Sequence, residues 1–319
     1  MSCCHPSPRA TGSPSGPAAV GSSSGSVLVN GRSPGLHALA QVHLPSGSFE
    51  MGDHFAEGYP ADGELPLHRV QVSGFSMDAT LVTNEQFACF TEATGYLTES
   101  ERLGYSAVFR GYLSAPSSDV IGSATGTSWW LGVRGANWRH PTGRGSSWQD
   151  LADHPVVQVS WNDAMAYCRW AGRALPTEAQ WEYAARGLVE GQRYAWGNEL
   201  MPGGRHQCNI WQGNFPQRNS AEDGYTGTSP VKSYPPNPVG LFDVAGNAWE
   251  WCSDWFLPKY YRNSPLKDPT GPTIGDGRVL RGGSHLCHDS YCNRYRVSAR
   301  SHNSPDSASS NTGFRTVNK

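Results

Sequence analysis

Two thiols five positions apart, Cys287 and Cys292, stand in the segment RGGSHLCHDSYCNRYR (281–296) among histidines and aromatics. Thiolates are nucleophiles, redox partners and ligands for soft ions, so this pair is where chemistry is sought first. The spacing is neither a redox Cys-x-x-Cys nor a common zinc pattern. On a regular helix, residues five apart sit about 140° round the axis. On a strand they lie about 17 Å apart and face opposite sides. The thiols therefore meet only if CHDSYC turns. The residue types then leave four outcomes open: inert thiols, a disulfide, a zinc site completed by His285 and His288, or a Cu(I) site. The last is chemically apt, because two thiolates alone suit a soft ion of low coordination number.

Two further clusters carry hard oxygen donors. In CNIWQGNFPQRNSAEDGY (208–225), Asn209, Asp223 and neighbouring carbonyls suit Ca²⁺, which takes six to eight oxygens. An Asx-turn loop capped by its own side chains would use the same residues. In GLFDVAGNAWEWCSDW (240–255), Asp243 and Glu250 are carboxylates seven apart, and Gly246 and Asn247 allow a bend between them. They could bind a second Ca²⁺ or serve as structural polar groups beneath Trp249, Trp251 and Trp255. No Ser-His-Asp order, phosphate-cradling glycine loop or zinc-hydrolase helix is present. His54, His68, His140, His154 and His302 lack helical ligand spacing and read as surface or core histidines.

The elements that must position these residues are short. TNEQFACFTEATG predicts a helix with a capping box at Thr83 and Gln86, ending at Gly95. SWNDAMAYCRWAG predicts one from Ser160 to Gly172. PTEAQWEYAARG predicts a third, with Thr177 and Gln180 at its start and Gly187 at its end. Cys89 and Cys168 fall inside these helices and read as buried thiols. Strands are expected at 68–77, 155–160 and 278–283. Residues 104–150 hold Gly and Trp throughout without periodicity, which predicts a long ordered loop of the kind that carries function.

Residues 1–36 are Ser/Gly/Pro-rich, with almost no aromatics, and predict a disordered tail. One α+β domain, irregular and loop-rich, is expected over 37–319. Charged residues are only 16% of the chain and the formal net charge is −2. No Lys/Arg run makes a footprint for nucleic acid or a membrane surface, and no apolar stretch could span a bilayer. The N-terminus has no signal-peptide pattern, so a cytoplasmic protein is expected. Of eight cysteines, Cys3 and Cys4 fall in the expected tail, and Cys89, Cys168, Cys208, Cys252, Cys287 and Cys292, scattered in a body this large, do not make a secreted disulfide scaffold.

Together the motifs become specific. The chain resembles the formylglycine-generating enzymes, also called sulfatase-modifying factors, over nearly its whole body. The matching stretches are GSFEMGD (47–53), FSMDATLVTNEQFACF (75–90) and HPVVQVSWNDAMAYCRWAGRALPTEAQWEYAARG (154–187). YAWGNEL, NIWQGNFP, EDGYTGTSPVKSYPPNPVGLFDVAGNAWEWCSDW, RVLRGGSHLC and NTGFR (311–315) follow in the family's order. Some of these motifs also occur in ergothioneine-type iron sulfoxide synthases, accessory factors and lectin-like binding modules. The synthases carry a His-x3-His-x-Glu helical domain that this sequence does not have. The enzyme proper carries the cysteine pair of SHLCHDSYC, and a non-catalytic lectin-like binding module is the alternative.

The resemblance implies the loop-rich fold of the formylglycine-generating-enzyme and C-type-lectin-like superfamily. It also implies an aerobic oxidase that acts on the cysteine of a Cys-x-Pro-x-Arg segment in an unfolded type I sulfatase. The product would be Cα-formylglycine, with O2 as acceptor and a thiol as reductant. Cu(I) would sit between Cys287 and Cys292, the substrate thiolate would join as a third sulfur, and a Cβ hydrogen would be removed. Ser284 matches the family's active-site serine, while His288 and Tyr291 match neighbours of the pair. One Ca²⁺ site maps onto Asn209, Ile210, Asp223 and Tyr225, and a second onto Asp243, Gly246, Ala248 and Glu250. Animal members have Asn where Asp243 stands. They also carry disulfides whose positions here hold Cys168 with Thr316, and Ala185 with Val297. Those bridges are therefore absent, as expected of a bacterial-type member, and a monomer is expected.

Overall fold

The structure is a computed structural model and describes residues 37–318. The expected tail over 1–36 lies outside the described residues. Four helices form: α1 (Asn84–Thr94), α2 (Glu99–Leu103), α3 (Trp161–Ala171) and α4 (Glu178–Ala185). α3 and α4 start with full capping boxes, Ser160 with Asp163 and Thr177 with Gln180. At α1 half of the expected box is present. Thr83 accepts from the Gln86 amide at 3.2 Å, but the Gln86 side chain reaches the Ala38 amide at 3.1 Å instead of Thr83. Gly95, Gly172 and Gly187 all close their helices with positive φ. Cys168 is buried as expected, whereas Cys89 is exposed. It shares the outer face of α1 with Glu85, one turn away, while Phe87 and Phe90 face inward.

The strands are β1 (Gln41–Leu44), β2 (Gly47–Met51), β3 (His68–Val72), β4 (Phe75–Asp78), β5 (Tyr105–Phe109), β6 (Val120–Ala124), β7 (Thr127–Arg134) and β8 (Arg173–Ala174). They continue as β9 (Gly213–Asn214), β10 (Arg218–Asn219), β11 (Trp249–Trp255), β12 (Arg278–Arg281), β13 (Arg300–Asn303), β14 (Thr312–Gly313) and β15 (Val317–Asn318). Beside the two four-stranded sheets, β1-β4-β15-β8 and β13-β12-β11-β14, stand the two-stranded β2-β3 and β9-β10 and a three-stranded sheet β5-β7-β6 with β7 in the middle. Three expectations change. The stretch 68–77 breaks at Ser73-Gly74 into β3 and β4, which belong to different sheets. Residues 155–160 form no strand. Their amides pair irregularly, Val156 to Val82 and Gln158 to Ser309, and Gln158 takes φ 63°. The supposed loop 104–150 holds a real sheet, in which Trp130 pairs with Phe109 and Leu131 with Val108.

β11 divides the interior. Trp249 and Trp251 face one apolar cluster, which also holds Cys287 and Cys292, while Cys252 faces the other. The pleat alternates side chains in this way. Arg186, Arg281, Arg296, Arg300 and Arg315 are all among the fully buried side chains. Each is matched by a buried carboxylate, at Glu182, Glu64, Glu178 or Glu250. Part of the chain's modest charge complement is thus held inside in such pairs. No helix among the described residues is long and apolar enough to cross a membrane.

Candidate active site

β12 ends at Arg281, and Gly282 and Gly283 turn the chain with φ of 91° and 73°. A Cβ on Gly283 would lie 2.7 Å from the Arg294 carbonyl oxygen, so the two arms of the loop touch here. Between them CHDSYC does turn. Cys287 donates its amide to the Ser284 carbonyl at 2.9 Å, and Cys292 donates to the His288 carbonyl at 2.7 Å. The turn brings Cys292 Sγ to 3.1 Å from Cys287 Sγ, both thiols being buried. No disulfide joins any of the six described cysteines. Thr316, the position expected to lack a disulfide partner for Cys168, gives its hydroxyl to Asp78 at 2.6 Å.

The thiols lie in a narrow cleft walled by Trp129, Trp130, Phe215, Tyr291 and Leu286, with Ser284 and Asn311 also lining it. Tyr291 stacks on Phe215 at 4.4 Å and meets Trp129 edge-on at 5.2 Å. Ser284 Oγ accepts from Asn311 Nδ2 at 3.0 Å and from the Leu286 amide at 3.3 Å. Both lone pairs are thus engaged, and the hydroxyl proton is left to donate. Of the three residues expected beside the pair, Ser284 and Tyr291 line the cleft and His288 does not. His288 bonds Ser290 Oγ through Nδ1 at 2.8 Å and faces a second cavity with His206, Cys208 and Tyr295. Trp129, Trp130, Phe215 and Asn311 were not singled out in the sequence. The Trp pair stood in the stretch marked as a functional excursion, and Asn311 stood in NTGFR.

His285 is turned to a structural task. Its Nδ1 bonds the Asn247 carbonyl at 2.7 Å, and its ring lies 5.6 Å from Tyr112. Burial pulls its pKa down to about 4, which leaves it neutral at pH 7. Among the described residues, no three His, Cys, Asp or Glu side chains gather into a metal-holding cluster. A tetrahedral zinc site needs four ligands, so the thiol pair fits a two-sulfur ion better.

The oxygen donors of the two clusters are arranged differently. Gln212 Nε2 bonds both the Ile210 carbonyl and Asp223 Oδ2, so those two oxygens converge on one point. Asn209 Oδ1 is buried with no hydrogen-bond partner. Of the three, only Asn209 Oδ1 lacks a donor, and a hard cation is the kind of partner such an oxygen takes. Asp223 also accepts from the Tyr225 amide at 3.0 Å, and burial raises its pKa. In the second cluster Asp243 Oδ1 is buried and unpartnered, and burial pushes this carboxyl up to about 6. Gly246 bridges to Asn209, so the clusters share a wall, and Ala248 is fully buried beside them. Glu250 is different. Both its oxygens lie in the fork of Arg315, at 2.7 Å each, and Trp181 Nε1 donates to one of them at 2.8 Å.

The model of the sulfatase-modifying factor enzyme 1-like domain matches residues 29–319. The chain belongs to this family. It is 59% identical to a formylglycine-generating enzyme of Streptomyces coelicolor, over all of this chain and 96% of that one. It is 53% identical to the enzyme of that name in Thermomonospora curvata, covering 89% of this chain and 95% of the relative. Among solved structures, PvdO from Pseudomonas aeruginosa superposes with a TM-score of 0.63 at 22% identity, over 90% of this chain and 99% of that one. That likeness speaks to the fold alone. In this chain the family's fold is a single mixed α+β domain whose thiol pair lines an aromatic cleft.

Proposed function

We propose that this chain activates sulfatases by oxidising the cysteine of a Cys-x-Pro-x-Arg segment to Cα-formylglycine, with Cys287 and Cys292 holding one Cu(I). The 3.1 Å approach of the two thiols in a narrow cleft carries the reading. Family membership and the names of the relatives support the substrate class. Bound there, Cu(I) would supply a soft, unsaturated centre for the substrate thiolate and for electron transfer to dioxygen. The balance is one cysteine, one O2 and two reductant thiols giving one aldehyde, H2S, one disulfide and one water.

The chain's own residues bind, orient and exclude water. Trp129, Phe215 and Tyr291 form an aromatic slot for an extended peptide, and its proline ring suits such a surface. Ser284, fixed by Asn311, presents its hydroxyl proton to an oxygen or sulfur atom in the cleft. Burial is part of the chemistry, because a site shielded from bulk water keeps the thiolate pair from stray oxidants. Ca²⁺ at the Asn209–Asp223 and Asp243 clusters would brace the loop that carries Cys287. Purified protein with a Cys-x-Pro-x-Arg peptide, O2 and a thiol should yield the aldehyde by mass spectrometry, faster with added Cu(I). An unchanged peptide with copper-loaded protein overturns the proposal.

A further inference from the structure

The two thiols are anchored by different parts of the body. Cys287 belongs to the central region, because its carbonyl accepts from the Trp211 amide at 3.0 Å and its neighbour His285 is tied to Asn247. The chain that leaves Cys292 is clamped by a segment from the other end of the sequence, residues 53–64. Arg294, two residues past Cys292, forks onto Asp62 with Nε to Oδ2 at 2.5 Å and Nη2 to Oδ1 at 3.1 Å. The same guanidinium lies 4.7 Å from the Tyr59 ring centre, and Tyr59 OH donates to the Tyr291 carbonyl at 3.4 Å. Further along, Arg296 forks onto Glu64 at 2.8 Å twice, and Arg300 donates to the Gly63 carbonyl at 2.9 Å. The segment is itself stiffened. The Asp53 carboxylate caps the amides of Phe55, Glu57 and Gly58 at 2.6–2.9 Å.

We propose that residues 53–64 set the span between the two thiols, with Asp62 as the positioning residue that holds Cys292 against Cys287 through Arg294. The inference rests on the Cu(I) reading only for one of its two readouts. The physical ground is directional. A buried bidentate pair fixes both distance and orientation, and Asp62 and Arg294 are 8% and 5% exposed. Asn at position 62 keeps the size and loses the charged fork. Arg296 and Glu64 still anchor the chain four residues beyond Cys292, so the loosening stays local to the thiol. A metal site whose ligands must first be ordered binds more weakly, and changes behind the ligands typically cost roughly 10–100-fold in affinity.

The test measures Cu(I) affinity by competition with a chromophoric Cu(I) chelator, on full-length Asp62→Asn, Arg294→Lys and Tyr59→Phe proteins shown by circular dichroism to be folded. A parallel readout, free of metal, is the equilibrium of the pair with glutathione. There two thiols and one glutathione disulfide give the Cys287–Cys292 disulfide and two glutathiones. Asp62→Asn should weaken Cu(I) binding about tenfold or more and shift the glutathione equilibrium by a similar factor. Glu57→Gln, which breaks the outer Arg193–Glu57 pair at 2.8 Å on the same segment, should change neither. Asp62→Asn and Arg294→Lys both within twofold of the parent on both readouts overturn the inference. If the parent protein binds no Cu(I), the copper reading falls and the glutathione equilibrium alone decides positioning. If Asp62→Asn does not fold, Arg294→Lys and Tyr59→Phe carry the same decision.

Discussion

Replacing Arg315 by Met tests how the core handles its charges, and it also decides what Glu250 is for. Both residues have side chains at 0% exposure. Arg315 donates to each Glu250 oxygen at 2.7 Å and to the Phe242 carbonyl at 2.8 Å. Methionine fills similar volume and leaves Glu250 with the Trp181 donor of that set. Stranding one partner of a buried pair costs about 3–5 kcal/mol, against a total stability of about 5–15 kcal/mol. Urea unfolding followed by tryptophan fluorescence should show that loss with an unchanged slope. Adding Glu250→Gln to the Met variant should recover most of it, because the stranded charge goes. A loss below about 1 kcal/mol, or a double variant no more stable than the single, refutes the reasoning. Ca²⁺ supplies a further check. If the Glu250 carboxylate serves a cation, Ca²⁺ should rescue the Met variant more than it stabilises the parent. If it belongs to Arg315, as the distances indicate, Ca²⁺ should stabilise both alike.

Three other outcomes are expected. If the clusters take Ca²⁺, a chelator should lower the unfolding free energy and Ca²⁺ restore it, by about 2.7 kcal/mol per site at a hundred times Kd, and Asn209→Ala or Asp243→Ala should each remove part of that gain in calorimetry. Burial, with the Glu178 carboxylate beside it, pushes Asp254 up to about 7, far above its unfolded value. The native state then holds a proton that the unfolded chain has lost, so this group's stabilisation is present at low pH and fades as pH rises through 7; Asp254→Asn should flatten the change between pH 5 and 8 by up to about 3 kcal/mol in urea titrations. Trp129→Ala removes edge contacts with Tyr291 at 5.2 Å and Phe215 at 5.5 Å, and should raise the peptide KM about tenfold with little change in Tm; an unchanged KM would take Trp129 out of the slot.

What could be read from the sequence was what is decided within one turn of chain. Thr83, Ser160 and Thr177 start their helices because the cap and its amide lie three residues apart, and Gly95, Gly172 and Gly187 stop them for an equally local reason. Where a partner is chosen by topology, residue types misled. PVVQVS has the composition of a strand, yet its amides find Val82 and Ser309 in no regular ladder. The three-stranded sheet inside 104–150 was hidden because Gly122, Gly126 and Gly132 interrupt the alternation that marks a strand. Glu250 drew notice through its spacing from Asp243, and the Arg315 that forks onto it stands 65 residues on, beyond the reach of any local pattern. The cleft walls come from 129–130, 215, 286–291 and 311, so no single window could show them. Cys287 and Cys292 belong to both kinds. Their spacing excluded every regular element, which correctly required a turn. Whether that turn would set sulfur against sulfur depends on Arg294 meeting Asp62, a contact that spans 232 residues of chain. Five residues pose the chemical question, and the far end of the fold answers it.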